Sequence, residues 1–140
     1  KKATSSEFDK KGLHIIGLLN EWTKDGKKIQ GTEKNLGGTM RLGSYEAKLR
    51  KNSLIQKIYK TNLIKERHRH RYEVNIAFKE KFEKKGMFFS GLSPDGSLPE
   101  IIELKNHPWF IGVQFHPEFK SRPLSPHPLF SSFIKASKNH

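Results

Sequence analysis

The run Trp109-Phe110-Ile111-Gly112-Val113, continuing into Gln114-Phe115-His116-Pro117-Glu118-Phe119, constrains this chain more than any other stretch. Its apolar residues predict a buried strand. Pro117 has no N–H and a fixed φ, so it suits the point where that strand leaves its sheet. On extended backbone His116 and Glu118 point to the same face. A histidine and a carboxylate so placed can act as base and orienter, the imidazole accepting a proton on one nitrogen while the carboxylate holds the other N–H. Such a pair needs a nucleophile to act on. The chain contains no cysteine, which excludes disulfides, thiolate metal sites and a cysteine nucleophile within it.

The remaining elements follow from pattern and punctuation. Leu13-His14-Ile15-Ile16-Gly17-Leu18-Leu19 is an apolar run of strand length, and 23–30, centred on Asp25-Gly26, predicts a turn or loop. Gly37-Gly38 introduces an alternating strand, Thr39-Met40-Arg41-Leu42-Gly43; the pair suits a tight strand entry better than a phosphate loop, whose spacing and Lys-Ser/Thr ending are missing. Ser53 is placed to cap a short helix reaching Tyr59. Helical spacing over 76–85 ends at Gly86. Met87–Leu92 and Leu98–Leu104 predict a hairpin around Ser93-Pro94-Asp95-Gly96, and Pro128 opens a terminal amphipathic helix. Trp109, Phe110 and the other aromatics are expected in the core rather than as binding platforms.

At 140 residues the chain is one domain's worth of sequence. It opens on Lys1 rather than methionine, which suggests a piece of something longer. No apolar run approaches the roughly 20 residues needed to span a bilayer, so a soluble cytoplasmic protein is expected. The net charge of +13 invites a nucleic-acid reading. Against it, 21 of the 27 basic residues are lysines spread along the chain, whereas base readout favours arginine. Three of the six arginines do cluster, in Arg67-His68-Arg69-His70-Arg71. An extended chain would show three guanidinia on one face and two imidazoles on the other. A His-x-His metal site is disfavoured, because the guanidinia repel a cation and no third ligand is evident. Carboxylate recognition by arginine is the sharper hypothesis, set against a solvated basic edge strand.

Four strings together are more specific than any one of them. Gly37–Gly43, Glu66-Arg67-His68-Arg69-His70-Arg71-Tyr72-Glu73-Val74-Asn75, His107-Pro108-Trp109-Phe110, and Gln114–Phe119 with His127-Pro128-Leu129-Phe130 occur in that order. The His-Pro-Glu end resembles the class I, triad-type glutamine amidotransferase domain, and the full set resembles the CTP synthase family over nearly all of the chain. The resemblance implies a three-layer α/β, flavodoxin-like fold, of which residues 1–140 are the C-terminal half, with mixed sheet strands and a C-terminal helix. It implies an enzyme making CTP from UTP with ATP, Mg2+ and ammonia released from L-glutamine by a Cys–His–Glu triad. By motif, His116 would be the general base, Glu118 its orienter, Glu7 the ligand of the glutamine α-amino group, and Arg71 a substrate-holding residue. GTP regulation and a homotetrameric parent are also implied, and no cofactor, metal or membrane contact is implied for this chain itself.

One departure matters. The family's nucleophilic cysteine, in a Gly-x-Cys-x-Gly turn, lies upstream of the segment matching Glu7, with the oxyanion-hole donors, and none of it is in this sequence. The chain is therefore expected to be a catalytically incomplete fragment, with His116 and Glu118 within hydrogen-bond reach beside an open surface. Its truncated sheet is expected to expose an apolar edge or face. The competing readings are a stand-alone basic module for nucleic acid or acidic partners, and a degenerate paralogue that kept the scaffold without catalysis.

Overall fold

Alternation in the middle of the chain decides how its two larger sheets are joined. The computed structural model describes residues 2–9, 11–18, 22–24, 27–29 and 40–139, with 22–24 and 27–29 described by backbone alone. In order, the strands are Ala3–Ser5 (β1), Leu13–Leu18 (β2), Trp22–Lys24 (β3), Lys27–Ile29 (β4) and Arg41–Leu49 (β5). Helix α1 (Leu54–Tyr59) precedes Leu63–His70 (β6) and Tyr72–Val74 (β7). A 3-10 turn at Ile76–Phe78 runs into α2 (Lys79–Glu83). Met87–Leu92 (β8), Pro99–Leu104 (β9) and Ile111–Val113 (β10) follow, then a 3-10 turn at Pro117–Phe119 and α3 (Pro128–Lys138).

Five strands form an antiparallel sheet in the order β10-β9-β8-β5-β6. A second sheet has the order β1-β2-β7, with β1 parallel to β2 and β2 antiparallel to β7. Mixed pairing is thus confined to the smaller sheet. Only Arg71 separates β6 from β7, so one extended stretch belongs to both sheets. The larger sheet curls until its two edges meet: His116, just past β10, donates its backbone N–H to the Arg67 carbonyl on β6 at 2.8 Å.

The inner face of β5 and β6 grades from apolar to polar. The register pairs Ala47 with Ile64, Tyr45 with Glu66, Gly43 with His68 and Arg41 with His70. Ala47, Leu49, Ile55, Ile64, Ile101, Phe115 and Leu129 form the core at one end, and the ionisable residues gather at the other. Local signals behave as chemistry demands. Ser53 Oγ accepts from Gln56 N, and the Glu103 carboxylate accepts from the N–H groups of Leu54 and Ile55, so the start of α1 is satisfied twice over. Gly96, at φ 78°, completes the predicted turn between β8 and β9.

Several expectations need correction. Segment 23–30 is not simply a turn or loop: β3, which starts at Trp22, and β4 pair antiparallel across it, while Asp25-Gly26 and Gly37-Gly38 lie outside the described residues. Trp109–Val113 is not a buried strand. The strand is Ile111–Val113, half-buried at the sheet edge, because β10 has a partner on one side only. Trp109 does pack against the core, but Phe110, Phe119, Phe130 and Phe133 are exposed. Exposed large apolar side chains are spread over the described residues, with Phe8, Leu42 and Leu124 the most open and Phe130, Phe133 and Ile134 together on α3, rather than gathered on one sheet edge.

Candidate active site

His116 sits where β10 ends and the chain turns. Its backbone is extended (φ −114°, ψ 91°), but Pro117 starts a 3-10 turn, closed by N–H bonds from Phe119 to His116 O and from Lys120 to Pro117 O. The alternation of an extended chain stops there, so Glu118 does not share a strand face with His116. Glu118 is exposed, and among the described residues no hydrogen bond or ion pair joins it to His116. The expected contact is absent from this structure for that reason. The imidazole is half-buried, and its Nδ1 is buried with no hydrogen-bond partner among the described residues. Its ring lies parallel to Phe119 (centroids 5.2 Å apart, 9°) and to His70 (6.4 Å, 13°).

The Arg/His run divides as alternation predicts, with the opposite emphasis. Arg67 and Arg69 lie on the exposed face, while Glu66 and His68 are buried. Arg71 alone is half-buried, at the β6–β7 junction, so a site built on all three guanidinia is not formed. The histidines join a buried ionic cluster instead. Arg41, 2 % exposed, donates to Glu100 Oε1 at 2.7 Å and to Glu73 Oε1 at 3.3 Å. Gln114 Nε2 donates to Glu73 Oε2 at 2.9 Å. His70 Nδ1 lies 3.2 Å from the Tyr72 carbonyl and 3.4 Å from Glu73 Oε1, both acceptors, so this nitrogen carries the proton. His70 Nε2 must then accept, and His68 Nδ1–H donates to it across 2.8 Å.

The charges follow from burial. One guanidinium faces two buried carboxylates. Burial opposes the Arg41 charge, but hydrogen bonds and attraction from Glu100 and Glu73 outweigh it and raise its pKa. Burial pushes Glu73 up to about 7 despite Arg41, and raises Glu100 as well. Burial, reinforced by the Arg41 charge, lowers His68 to about 3 and His70 to about 4, so both imidazoles are neutral near pH 7.

Register locates Glu7 and Arg71 relative to one another. Ser5 pairs with Ile16 and Ile16 with Val74, while Leu18 pairs with Tyr72. Glu7, two residues past Ser5, and Arg71, one before Tyr72, therefore lie at the same end of the small sheet, where parallel β1 and β2 have their carboxyl ends. Open α/β sheets bind ligands at that end. Glu7 is exposed on the turn after β1. Gln114 and Glu73 bring the chain before His116 to the same region.

Sequence reasoning did not find Arg41, Glu73, Glu100 or Gln114. The signal available was the i, i+2 set Glu66, His68 and His70, whose burial required knowing which face of β6 is inside. It also missed a second buried cluster. Glu66 Oε1 accepts from Tyr59 OH (3.1 Å), Lys120 Nζ (3.2 Å) and His127 Nε2 (3.3 Å). His127 Nδ1 accepts from Leu129 N and caps α3. Among the described residues no group of three or more His, Cys, Asp or Glu side chains could hold a metal ion, and no helix is long and apolar enough to cross a membrane.

His116 thus lies just past the end of a strand of the antiparallel sheet, while Glu7 and Arg71 lie at one end of the partly parallel sheet. Residues 14–136 match the family model described as "Glutamine amidotransferase class-I". The chain belongs to the class-I glutamine amidotransferase family. The relatives it matches include CTP synthases. That of Pelagibacter ubique (strain HTCC1062) is 86% identical over 140 residues, covering 100% of this chain and 26% of the relative. That of Rhodospirillum rubrum is 57% identical over 136 residues, covering 96% of this chain and 25% of the relative. The chain thus spans about a quarter of the length of these curated relatives. The solved structure "Trypanosoma brucei CTPS - glutaminase domain with bound acivicin" superposes with a TM-score of 0.81 at 35% identity, over 98% of this chain and 51% of that one. That fold agrees with the class I amidotransferase fold expected from the sequence. A stand-alone basic module gains no support from these relatives.

Proposed function

We propose that this chain is the base-bearing part of the glutaminase of a CTP synthase, with residues 1–140 forming the C-terminal portion of its amidotransferase domain. The carrying observation is the 86% identity of the whole chain to a CTP synthase. The nucleophilic cysteine and the synthetase then lie outside this chain. In that setting a cysteine thiolate attacks the glutamine side-chain carbonyl. His116 accepts the thiol proton and delivers it to the departing ammonia, and water hydrolyses the thioester, so that glutamine and water give glutamate and ammonia.

Arg71 and Glu7, at one sheet end, suit the two ends of an amino acid: the guanidinium the α-carboxylate, the carboxylate the α-amino group. Glu118 orients His116 by turning its carboxylate toward Nδ1, the buried nitrogen that has no partner among the described residues. The ammonia serves ATP-dependent amination of UTP in the synthetase. ATP, UTP, Mg2+, the GTP effector, the homotetrameric assembly and the cytoplasmic setting belong to that parent enzyme.

The test compares two nitrogen sources in the full-length protein. His116→Ala should lower glutamine-dependent CTP formation by about 10²–10⁴-fold and leave formation from added ammonia within about twofold. Glutamine-dependent turnover at the wild-type rate in His116→Ala would overturn the assignment. The 140-residue chain alone should show no glutaminase turnover.

A further inference from the structure

His70 has no part in the chemistry above, yet two constraints on the site meet at its ring. A catalytic base must be held within about 0.5 Å and 10–20° of its working geometry. No side-chain hydrogen bond holds His116 among the described residues, so in this structure, where Glu118 makes no bond to it, its plane is set by packing. One parallel ring is Phe119, which is itself exposed on the same turn. The other is His70, which is anchored elsewhere, on β6. His70 is in turn fixed at both nitrogens: Nδ1–H donates to the Tyr72 carbonyl and Nε2 accepts from His68. Tyr72 follows Arg71 directly in the chain. The ring that lies against the base therefore also ties down the backbone beside the substrate arginine.

We propose that His70 is a positioning residue of the glutaminase, its ring setting the plane of His116 and its Nδ1–H setting the backbone that carries Arg71. The proposal rests on His116 as base and Arg71 as substrate ligand. It assigns two separable duties to one side chain, and two substitutions divide them. His70→Phe keeps an aromatic wall and loses the donor to Tyr72. His70→Asn loses the ring, and its amide places a donor near the position of Nδ1.

In the full-length protein, His70→Asn should lower kcat for glutamine hydrolysis about tenfold and shift the acid limb of its pH profile, with KM within about twofold. His70→Phe should keep kcat within about threefold and raise KM for glutamine about tenfold. Circular dichroism and thermal unfolding, measured alongside, identify a variant that has failed to fold, and the kcat-against-KM split of the other variant then decides alone. If both variants match the wild type, or if kcat and KM change in parallel in each, the positioning role is overturned. A fully active His116→Ala would instead overturn the assignment of the base, a result distinguishable from wild-type behaviour of the His70 variants beside an inactive His116→Ala.

Discussion

Gln114 donates its side-chain amide to Glu73 across 2.9 Å, joining segments 41 residues apart in the chain. Gln114 precedes His116 by two residues, and Glu73 follows Arg71 by two. The bond thus fixes the spacing between the proposed base and the proposed substrate arginine. Glu73 bonds in turn to Arg41 on β5, and Arg41 to Glu100 on β9. Buried ion pairs are poor sources of net stability, because desolvation consumes most of the Coulombic gain. This cluster makes better sense as a register device, since apolar packing would tolerate small slips between the two sheets that fixed hydrogen-bond partners do not.

Removing the cation at the centre of that cluster should be severe and pH-dependent. Arg41→Met leaves Glu73 and Glu100 buried without their shared partner, and such a break typically costs about 3–5 kcal/mol. Both carboxylates escape the penalty by taking up protons, so the deficit should shrink as pH falls. Urea unfolding at pH 8 and pH 5 reads this directly. An equal deficit at both values would mean that Arg41 is not compensating carboxylate charge.

Neutral burial of the histidine pair has its own signature. In the folded chain His68 titrates at about 3 and His70 at about 4, against an ordinary 6.5. Their pKa values are depressed on folding, so the unfolded chain binds protons below pH 6.5 that the folded chain does not. That contribution is present above pH 6.5 and lost as pH falls toward 4. Glu73, raised to about 7, acts in the other sense: its contribution is present below pH 4.5 and lost as pH rises through 7. His68→Gln removes one histidine proton from the balance and leaves the carboxylates. Between pH 4.5 and 6.5 its stability should therefore rise less steeply with pH, by about 1.4 kcal/mol per pH unit. Identical slopes for variant and wild type would show that His68 is not held neutral.

Arg71 should act through substrate affinity. Arg71→Lys keeps a positive charge but loses the planar pair of donors that matches a carboxylate. Glutamine KM in the full-length protein should rise about tenfold, with kcat changed less and ammonia-dependent turnover unchanged. Arg69→Lys, on the exposed face of β6, is the internal control and should leave KM within about twofold. Equal effects at the two positions would remove Arg71 from the pocket.

That contrast also marks how far the sequence could go. Alternation over 63–70 was legible, and with it the two faces of β6, because a period of two has one structural meaning. Which face turns inward was not, since guanidinia and imidazoles are both polar and only the curl of the larger sheet buries the histidines. The hairpin at Ser93–Gly96, the Ser53 cap and the start of α3 at Pro128 were legible for a similar reason, being set by local stereochemistry. The His116–Glu118 geometry was not: Pro117 permits either an extended exit or a 3-10 turn, and the structure takes the turn. Nothing in the sequence singled out the Arg41–Glu100 pair, because a buried salt bridge between distant strands leaves no local pattern.

The second buried cluster gives the last prediction. Glu66 Oε1 gathers donors from three segments: Tyr59 at the end of α1, Lys120 just after the His116 turn, and His127 at the start of α3. Burial alone would raise the Glu66 pKa, but the bonds from His127 and Lys120 more than offset it and the carboxyl titrates below its ordinary value. A depressed carboxylate contributes stability that is present above the unfolded pKa and lost as pH falls through the folded one. Tyr59→Phe removes one donor to a charged acceptor and should cost about 1.5–3 kcal/mol at pH 7. The loss should fade as pH falls through the lowered folded-state pKa of Glu66. Because Tyr59 and His127 share one oxygen, Tyr59→Phe and His127→Asn should be non-additive, with a coupling of about 0.5 kcal/mol or more. Thermal unfolding of the two single variants and the double variant at pH 7 and pH 3.5 measures both effects. Strict additivity at pH 7, or a Tyr59→Phe deficit that does not change with pH, would mean that Glu66 is not the charge holding α1 and α3 together.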